Sequence, residues 1–285
     1  MNERADKRAV RQSFDRAAAS YDSVAGLQRQ VCELLLAALP APTLLAPHAR
    51  NPGSPPPTPR GGNPLTSAWG GPAPTVASTI LDAGSGTGYG QRLLAARWPA
   101  ARLVAADFAH AMLIGSAGER ICADIEALPL PADAFDLYWS SLSIQWCDTR
   151  RVIAEAARVL SRGGVLAVST LGTGTLAELH HAFAGVDQHR HVLEFSPEQL
   201  LADACATAGL RNVTLETRSI RRYHPDLKTL LRTLKSLGAN QVGANRRPGL
   251  FGRQVWQAVE ARYESLREDA GLPATYQVIL CTALK

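Results

Sequence analysis

An α/β fold on a mostly parallel sheet, with helices on both faces, is what this sequence predicts, and three observations predict it. Short apolar runs alternate with helix-period segments from residue 79 to residue 170, the pattern of successive strand–helix units. The first run, Thr79-Ile80-Leu81-Asp82-Ala83, passes into the glycine-crowded turn Gly84-Ser85-Gly86-Thr87-Gly88-Tyr89-Gly90. An acidic residue, Asp107, ends the next run, Arg102–Asp107, about 20 positions further on. At 285 residues with 46% apolar side chains, the chain has room for one large domain, or two small ones, and a substantial core.

Before the glycine turn, residues 3–39 read as two helices. Val10, Phe14, Ala17 and Tyr21 recur at helical spacing, and Leu27, Val31, Leu34, Leu35, Ala38 and Leu39 form a second apolar face. Either both helices pack on the sheet, or Phe14 and Tyr21 help close a lid over a ligand; spacing alone leaves both readings open. Residues 40–78 hold eleven of the chain's eighteen prolines, mixed with Gly, Ser, Thr and Asn. So little apolar surface cannot offset the cost of ordering the chain, and a flexible insert is expected there.

Within 79–170 a helix around Leu93, Leu94, Ala96 and Arg97 follows the turn, and Ala134–Ser140 is a further strand. Arg158–Gly164 is read as closing a helix before a strand over Val165–Thr170. In 171–285, Thr175-Leu176-Ala177-Glu178 has the form of a capping box opening a helix over 176–184. Ser196-Pro197-Glu198-Gln199 opens another, with proline at the first helical position and Gly209 just past its end. Asn212–Thr217 alternates as a strand. Residues 224–273 form a helical excursion: Asp226 caps a helix over 227–237, Gly238 ends it, and a second runs about Phe251–Glu268. Ala274–Ala283 alternates as the last strand.

Composition narrows the function classes. Five cysteines (Cys32, Cys122, Cys147, Cys205, Cys281) are scattered without a C-x-x-C pair, so reduced thiols are expected rather than a disulfide framework or a zinc site. No apolar signal core follows the charged first residues, and no run of about 18 apolar residues is present, so a soluble cytoplasmic protein is expected. His180, His181, His189 and His191 cluster along the chain but without carboxylates at ligand spacing, so no metal is expected.

Glycines in the turn permit positive φ and let a ligand approach the backbone, and the helix behind offers free N–H groups to an anion. Dinucleotides and S-adenosylmethionine both use such a turn. A dinucleotide fingerprint wants its third glycine at position 89, which is Tyr89. Gly84-x-Gly86-x-Gly88 instead resembles class I S-adenosylmethionine-dependent methyltransferases, as do, in order, Asp107, Cys122-Ala123-Asp124-Ile125, Ala134–Ser140 and Arg158–Gly164. The resemblance implies the class I Rossmann-like sheet, mostly parallel with a C-terminal antiparallel strand, N-terminal lid helices and a helical insertion before the last strand. It implies cofactor contacts from Asp82, Gly84, Gly86, Gly88, Asp107, Met112, Asp124, Ile125, Ser140 and Gln28. Asp107 would take the ribose hydroxyls and Asp124 the adenine amino group.

Three stretches sharpen the resemblance: Lys7–Asp22 with Leu27-Gln28-Arg29-Gln30-Val31, then Ser141–Cys147, then Leu234-Lys235-Ser236-Leu237-Gly238-Ala239-Asn240. They are similar to the malonyl-acyl carrier protein O-methyltransferases of biotin synthesis, over nearly the whole chain except 40–78. That resemblance implies esterification of the free malonyl carboxyl, on acyl carrier protein or coenzyme A. A malonyl carboxylate is already ionised, so exclusion of water and in-line alignment should supply most of the acceleration. Phe14 and Tyr21 would shield the sulfonium, and Gln145 and Trp146 would shape the acceptor pocket. Arg221, Arg222, Lys228, Arg232 and Lys235 would steer an acidic carrier or meet the substrate carboxylate. Ser140-Ser141-Leu142-Ser143 stands where amino-directed DNA methyltransferases carry N/D-P-P-Y/F, and no Pro-Cys pair offers cytosine chemistry, so nucleic acid is not expected. The rival readings are a quinone-type C- or O-methyltransferase, which would need a general base, and a non-catalytic S-adenosylmethionine-binding protein.

Overall fold

The computed structural model describes residues 6–39, 78–239 and 252–285. The proline-rich insert expected over 40–78 lies outside these, Ser78 apart, as do Phe251 and Asn240. Two helices come first, α1 (Lys7–Val24) and α2 (Gly26–Ala38). The glycine-turn region gives β1 (Thr79–Ala83), α3 (Tyr89–Arg97), β2 (Arg102–Asp107), a single turn α4 (His110–Leu113) and β3 (Glu119–Cys122). Then come β4 (Phe135–Ser141), a 3₁₀ turn at Ile144–Trp146, α5 (Thr149–Val159) and β5 (Leu160–Leu171). The remainder is α6 (Ala177–Phe183), α7 (Glu198–Thr207), β6 (Arg211–His224), α8 (Leu227–Ser236), α9 (Arg253–Glu264) and β7 (Leu272–Leu284).

The seven strands form one sheet in the order β3-β2-β1-β4-β5-β7-β6. The first five are parallel, and β7 runs antiparallel to both neighbours. Side chains alternate between the two faces because the strand period is two. Ile80, Leu137, Trp139 and Val165 join one core beneath α2, α6 and α9, while Leu81, Tyr138, Leu166 and Val168 join the other beneath α5 and α7. Burial on both faces is why Ile80-Leu81 in β1 and Leu137-Tyr138-Trp139 in β4 are apolar at successive positions. β1 is buried along its whole length. Parallel strands bring their carboxyl ends to one side of the sheet, and the turns there build the site.

Several element ends differ from the sequence expectation for physical reasons. α5 ends at Val159 and Leu160 already pairs with Phe135, so Leu160–Gly164 belongs to the start of β5 rather than to a helix end. The Thr175–Glu178 capping box does not form. Leu176 precedes α6 in a left-handed conformation, while Glu178 accepts from the Thr275 backbone N–H at 3.1 Å and Thr175 Oγ1 accepts from the Gln277 backbone N–H at 3.0 Å. Both side chains fasten α6 to β7 instead. Pro197 sits one position before α7 rather than inside it. β6 runs seven residues beyond Thr217, to His224, because its partner β7 continues to pair with it even where arginines interrupt the apolar alternation. Asp226 caps α8, accepting from Thr229 N at 2.7 Å, and Gly238 follows that helix at φ +71°.

Candidate functional site

The site begins with the turn after β1. Gly84 and Ser85 donate backbone N–H bonds to Ala106 O at 2.7 and 3.0 Å, which pins the turn to β2. Gly84, Gly86 and Gly88 all have positive φ. A Cβ at Gly84 would stand 2.4 Å from Ser143 Cβ, whereas one at Gly86 would meet nothing within 4 Å. Gly86 therefore looks onto open space, and its side-chain-free surface leaves that space for a ligand.

Asp107 closes β2 beside this space. Its carboxylate accepts from Gly86 N at 2.9 Å and from Ala109 N at 2.8 Å. Burial still pushes its pKa up to about 6, outweighing those two bonds. Asp82 lies deeper and 2% exposed, with Oδ2 lacking any hydrogen-bond partner among the described residues. Burial first, and the Asp107 charge second, raise its carboxyl to about 7.

A small cavity of about 60 Å³ opens over the turn, and Gly84, Gly86, Asp107, Met112, Asp124 and Ile125 all line it. Of the other expected cofactor residues, Asp82, Gly88 and Ser140 are not on its wall; Ser140 is fully buried and shares a hydrogen bond with Ser143 Oγ. Gln28 lines a different cavity. Residues the sequence reading passed over also border the turn cavity: Lys7, Phe108, Leu142 and Ser143. Lys7 opens the Lys7–Asp22 stretch, but nothing in its spacing shows that its amine reaches Asp124 and Glu126, more than 100 residues along the chain.

The apolar wall of this cavity and the side-chain-free glycine turn suit a nucleoside with an attached amino-acid chain. Asp107 presents its carboxylate beside the turn, and Gly86 faces open space without a side chain to fill it. The residues present therefore fit S-adenosylmethionine.

The second cavity is larger, about 560 Å³, within the range of small-molecule sites. The two helices at the start contribute Phe14, Tyr21 and Gln28; the loop after β4 contributes Leu142, Gln145 and Trp146; α8 contributes Leu231, Leu234 and Lys235. Arg222 and His224 at the end of β6, Tyr276 of β7, and the 190–195 loop complete it. Phe14, Tyr21, Leu142 and Trp146 line both cavities, so these four side chains form the passage between them. Phe14 meets the Trp146 ring edge-on at 5.6 Å and the Phe108 ring at 6.4 Å. Tyr21 is driven far above its ordinary pKa by burial and keeps its proton. Leu142 holds φ +49°, a left-handed conformation that costs a leucine roughly 1–2 kcal/mol, and Ser169 anchors its N–H through both its carbonyl and its hydroxyl at 3.1 Å.

Three polar atoms of side chains that line the larger cavity lack partners among the described residues: Gln28 Oε1, Gln145 Oε1 and His224 Nε2. Gln145 uses its Nε2 to hold Leu142 O at 2.7 Å. Among the expected basic residues, Arg222 and Lys235 line this cavity, whereas Arg221, Lys228 and Arg232 do not. Arg222 donates to Gln30 Oε1 at 2.6 Å and to Gly26 O at 3.3 Å. Arg221 pairs with Glu268 at 2.9 Å and Arg218 with Glu216 at 2.7 Å, so two arginines of β6 are each held by an acid. The 180–191 histidines form no metal-sized donor group among the described residues. His191 instead holds Asp187 at 2.8 Å and stacks on Phe183. The group that does meet that size, Asp124, Glu126 and Cys147, has the Lys7 amine on both of its carboxylates.

Comparison with known proteins gives four findings. A methyltransferase domain model matches residues 81–168. The chain is 41% identical over 286 residues to the malonyl-[acyl-carrier protein] O-methyltransferase of Dechloromonas aromatica, covering 99% of this chain and 96% of that one. It is 37% identical to the biotin biosynthesis bifunctional protein BioHC of Cellvibrio japonicus, covering 97% of this chain and 50% of that protein. Among solved structures, an S-adenosylmethionine-dependent methyltransferase of Thermotoga maritima superposes with a TM-score of 0.52 over 97% of this chain and 99% of its own, at 14% identity, which speaks to the fold.

Proposed function

The chain belongs to the malonyl-acyl carrier protein O-methyltransferases, and we propose that it esterifies the free carboxyl of a malonyl thioester with a methyl group from S-adenosylmethionine, as an early step of biotin synthesis. The observation that carries this reading is the meeting of the two cavities at Phe14, Tyr21, Leu142 and Trp146. One cavity fits the methyl donor and the other has the size and apolar lining for a thioester arm. When bound, S-adenosylmethionine supplies a methyl group on a positively charged sulfonium.

What this chain's residues then do follows from charge. The acceptor carboxylate is anionic at neutral pH, so no residue has to remove a proton from it. Phe14, Trp146 and Tyr21 exclude water at the passage, which preserves the nucleophilicity of an oxygen that hydration would blunt. Gln145, on the wall of the larger cavity, fixes Leu142 through its side-chain N–H and so holds the passage in shape. The cofactor is assigned to Gly84, Gly86, Asp107, Met112, Asp124 and Ile125. Asp82 and Ser140 support the turn from behind, and Gln28 contributes from the acceptor side. The reading also places the protein in the cytoplasm, supported by five free cysteines. Among the described residues no helix is long and apolar enough to cross a membrane.

The test is methyl transfer from labelled S-adenosylmethionine to malonyl-, succinyl- and acetyl-acyl carrier protein. Label on malonyl that mild base releases, with none on acetyl, is the expected result. A folded protein that binds S-adenosylmethionine but labels none of the three would overturn the substrate assignment. In parallel, Asp107→Ala should weaken S-adenosylmethionine by roughly 1–3 kcal/mol in a titration calorimeter, because a ligand donor loses a charged acceptor. Unchanged affinity would remove Asp107 from the site.

A further inference from the structure

α8 carries two faces with different work. Leu227 and Leu230 are buried, and Leu231 and Leu234 line the larger cavity. On the adjacent, outward side Lys228, Arg232 and Lys235 recur at helical spacing, and all three are exposed. Lys235 is exposed and also lines the cavity, which sets it on the rim. Arg232 and Lys235 have no ion pair among the described residues, and Lys228 has only a 3.5 Å contact with Glu260. The neighbouring cations differ: Arg218 and Arg221 are held by acids and Arg222 by Gln30. One helix thus walls the acceptor cavity with its apolar face and turns a cationic stripe outward beside the mouth.

We propose that the outer face of α8 is the docking surface for the protein that carries the acceptor thioester, and that it fits a carrier face rich in carboxylates. This rests on the proposed malonyl-carrier reaction. A cavity about 560 Å³ in size admits an arm but not a folded protein, so the carrier has to sit at the mouth while its arm reaches inward. The cationic stripe of α8 lies beside that mouth. Exposed rim charges act chiefly by raising the association rate, and salt screens them.

The experiment compares two acceptors with the same arm, malonyl-acyl carrier protein and malonyl-pantetheine, the second having no protein attached. The variant is Lys228→Glu with Arg232→Glu; Lys235 is left in place because it also lines the cavity. A control variant, Arg162→Glu with Arg211→Glu, makes the same change in net charge at the amino end of the parallel strands. For the α8 variant, kcat/KM on the carrier should fall roughly tenfold or more, and the salt dependence should flatten. Turnover of malonyl-pantetheine should stay as in the wild type, and the control variant should behave like the wild type on both. Equal losses on both acceptors, or no loss on the carrier, would overturn the proposal.

Binding of the unmalonylated holo-carrier, which needs no chemistry, separates the two levels. Loss of that binding in the α8 variant supports docking even if malonyl were the wrong cargo. Retained carrier binding together with lost binding of a random DNA duplex would assign the stripe to nucleic acid and overturn the proposal. Wild-type enzyme that methylates neither malonyl acceptor would instead overturn the reaction itself.

Discussion

Asp82 sits sealed beneath the glycine turn with one carboxylate oxygen that no described donor reaches, and burial lifts its pKa from 3.8 to about 7. A folded-state pKa above the unfolded one means the protonated form is favoured in the fold. Its stabilising contribution is complete below about pH 4 and is lost as pH rises through about 7. Asp82→Asn keeps the shape and removes the titration. The cofactor-free variant should therefore melt above the wild type at pH 8, with the difference closing toward pH 4. A difference in Tm that stays constant from pH 4 to pH 8 would show that Asp82 does not titrate this way. At this scale the acids and glycines were legible because their chemistry is written in residue type and spacing. Leu142 and Ser143 were not: a left-handed leucine has no sequence signature, and the Ser143–Gly84 approach exists only once β4 lies beside β1.

Gly238, at the end of α8, presses against Phe14 of α1. A Cβ there would come within 3.1 Å of the Phe14 ring and 3.3 Å of its backbone, at φ +71°. Gly209, after α7, has a similar φ of +75° but nothing within 4 Å. Alanine at either position pays the left-handed penalty of roughly 1–2 kcal/mol in stability. Only Gly238→Ala should also displace Phe14 and so lower kcat for methyl transfer. Equal kcat in the two variants would deny Phe14 a part at the passage. Element positions were largely legible through periodicity, and Asp226 announced α8 correctly. The Thr175–Glu178 pattern misled because its side chains found partners on β7, a strand almost 100 residues away. Local spacing cannot report competition from a distant strand. α1 shows the same limit: Asp15 accepts from Ala111 N at 3.1 Å and Asp22 accepts from Thr87 Oγ1 at 2.6 Å, contacts that fasten it over the cofactor turn.

For the whole molecule, the mostly parallel sheet and its C-terminal antiparallel strand were legible through resemblance, while the strand order was not, since alternating runs say where strands are and not which lie side by side. The segment 41–77 has a composition unsuited to a packed core. Replacing it with a short Gly-Ser linker should leave kcat/KM for methyl transfer and Tm nearly unchanged. A folded but inactive replacement would mean that the segment contributes to the site. The place of β7 in the sheet has a consequence for synthesis. β7 is the last strand in chain order, yet it lies between β5 and β6 and, among the described residues, is the only strand that pairs with β6. On the ribosome β6 must therefore wait without a neighbour while α8, α9 and β7 are made. Its four arginines and Glu216 are suited to that interval, because a charged, unpaired strand resists pairing with other chains. The half of the acceptor cavity built on β6 and α8 is thus assembled last, when β7 closes the sheet.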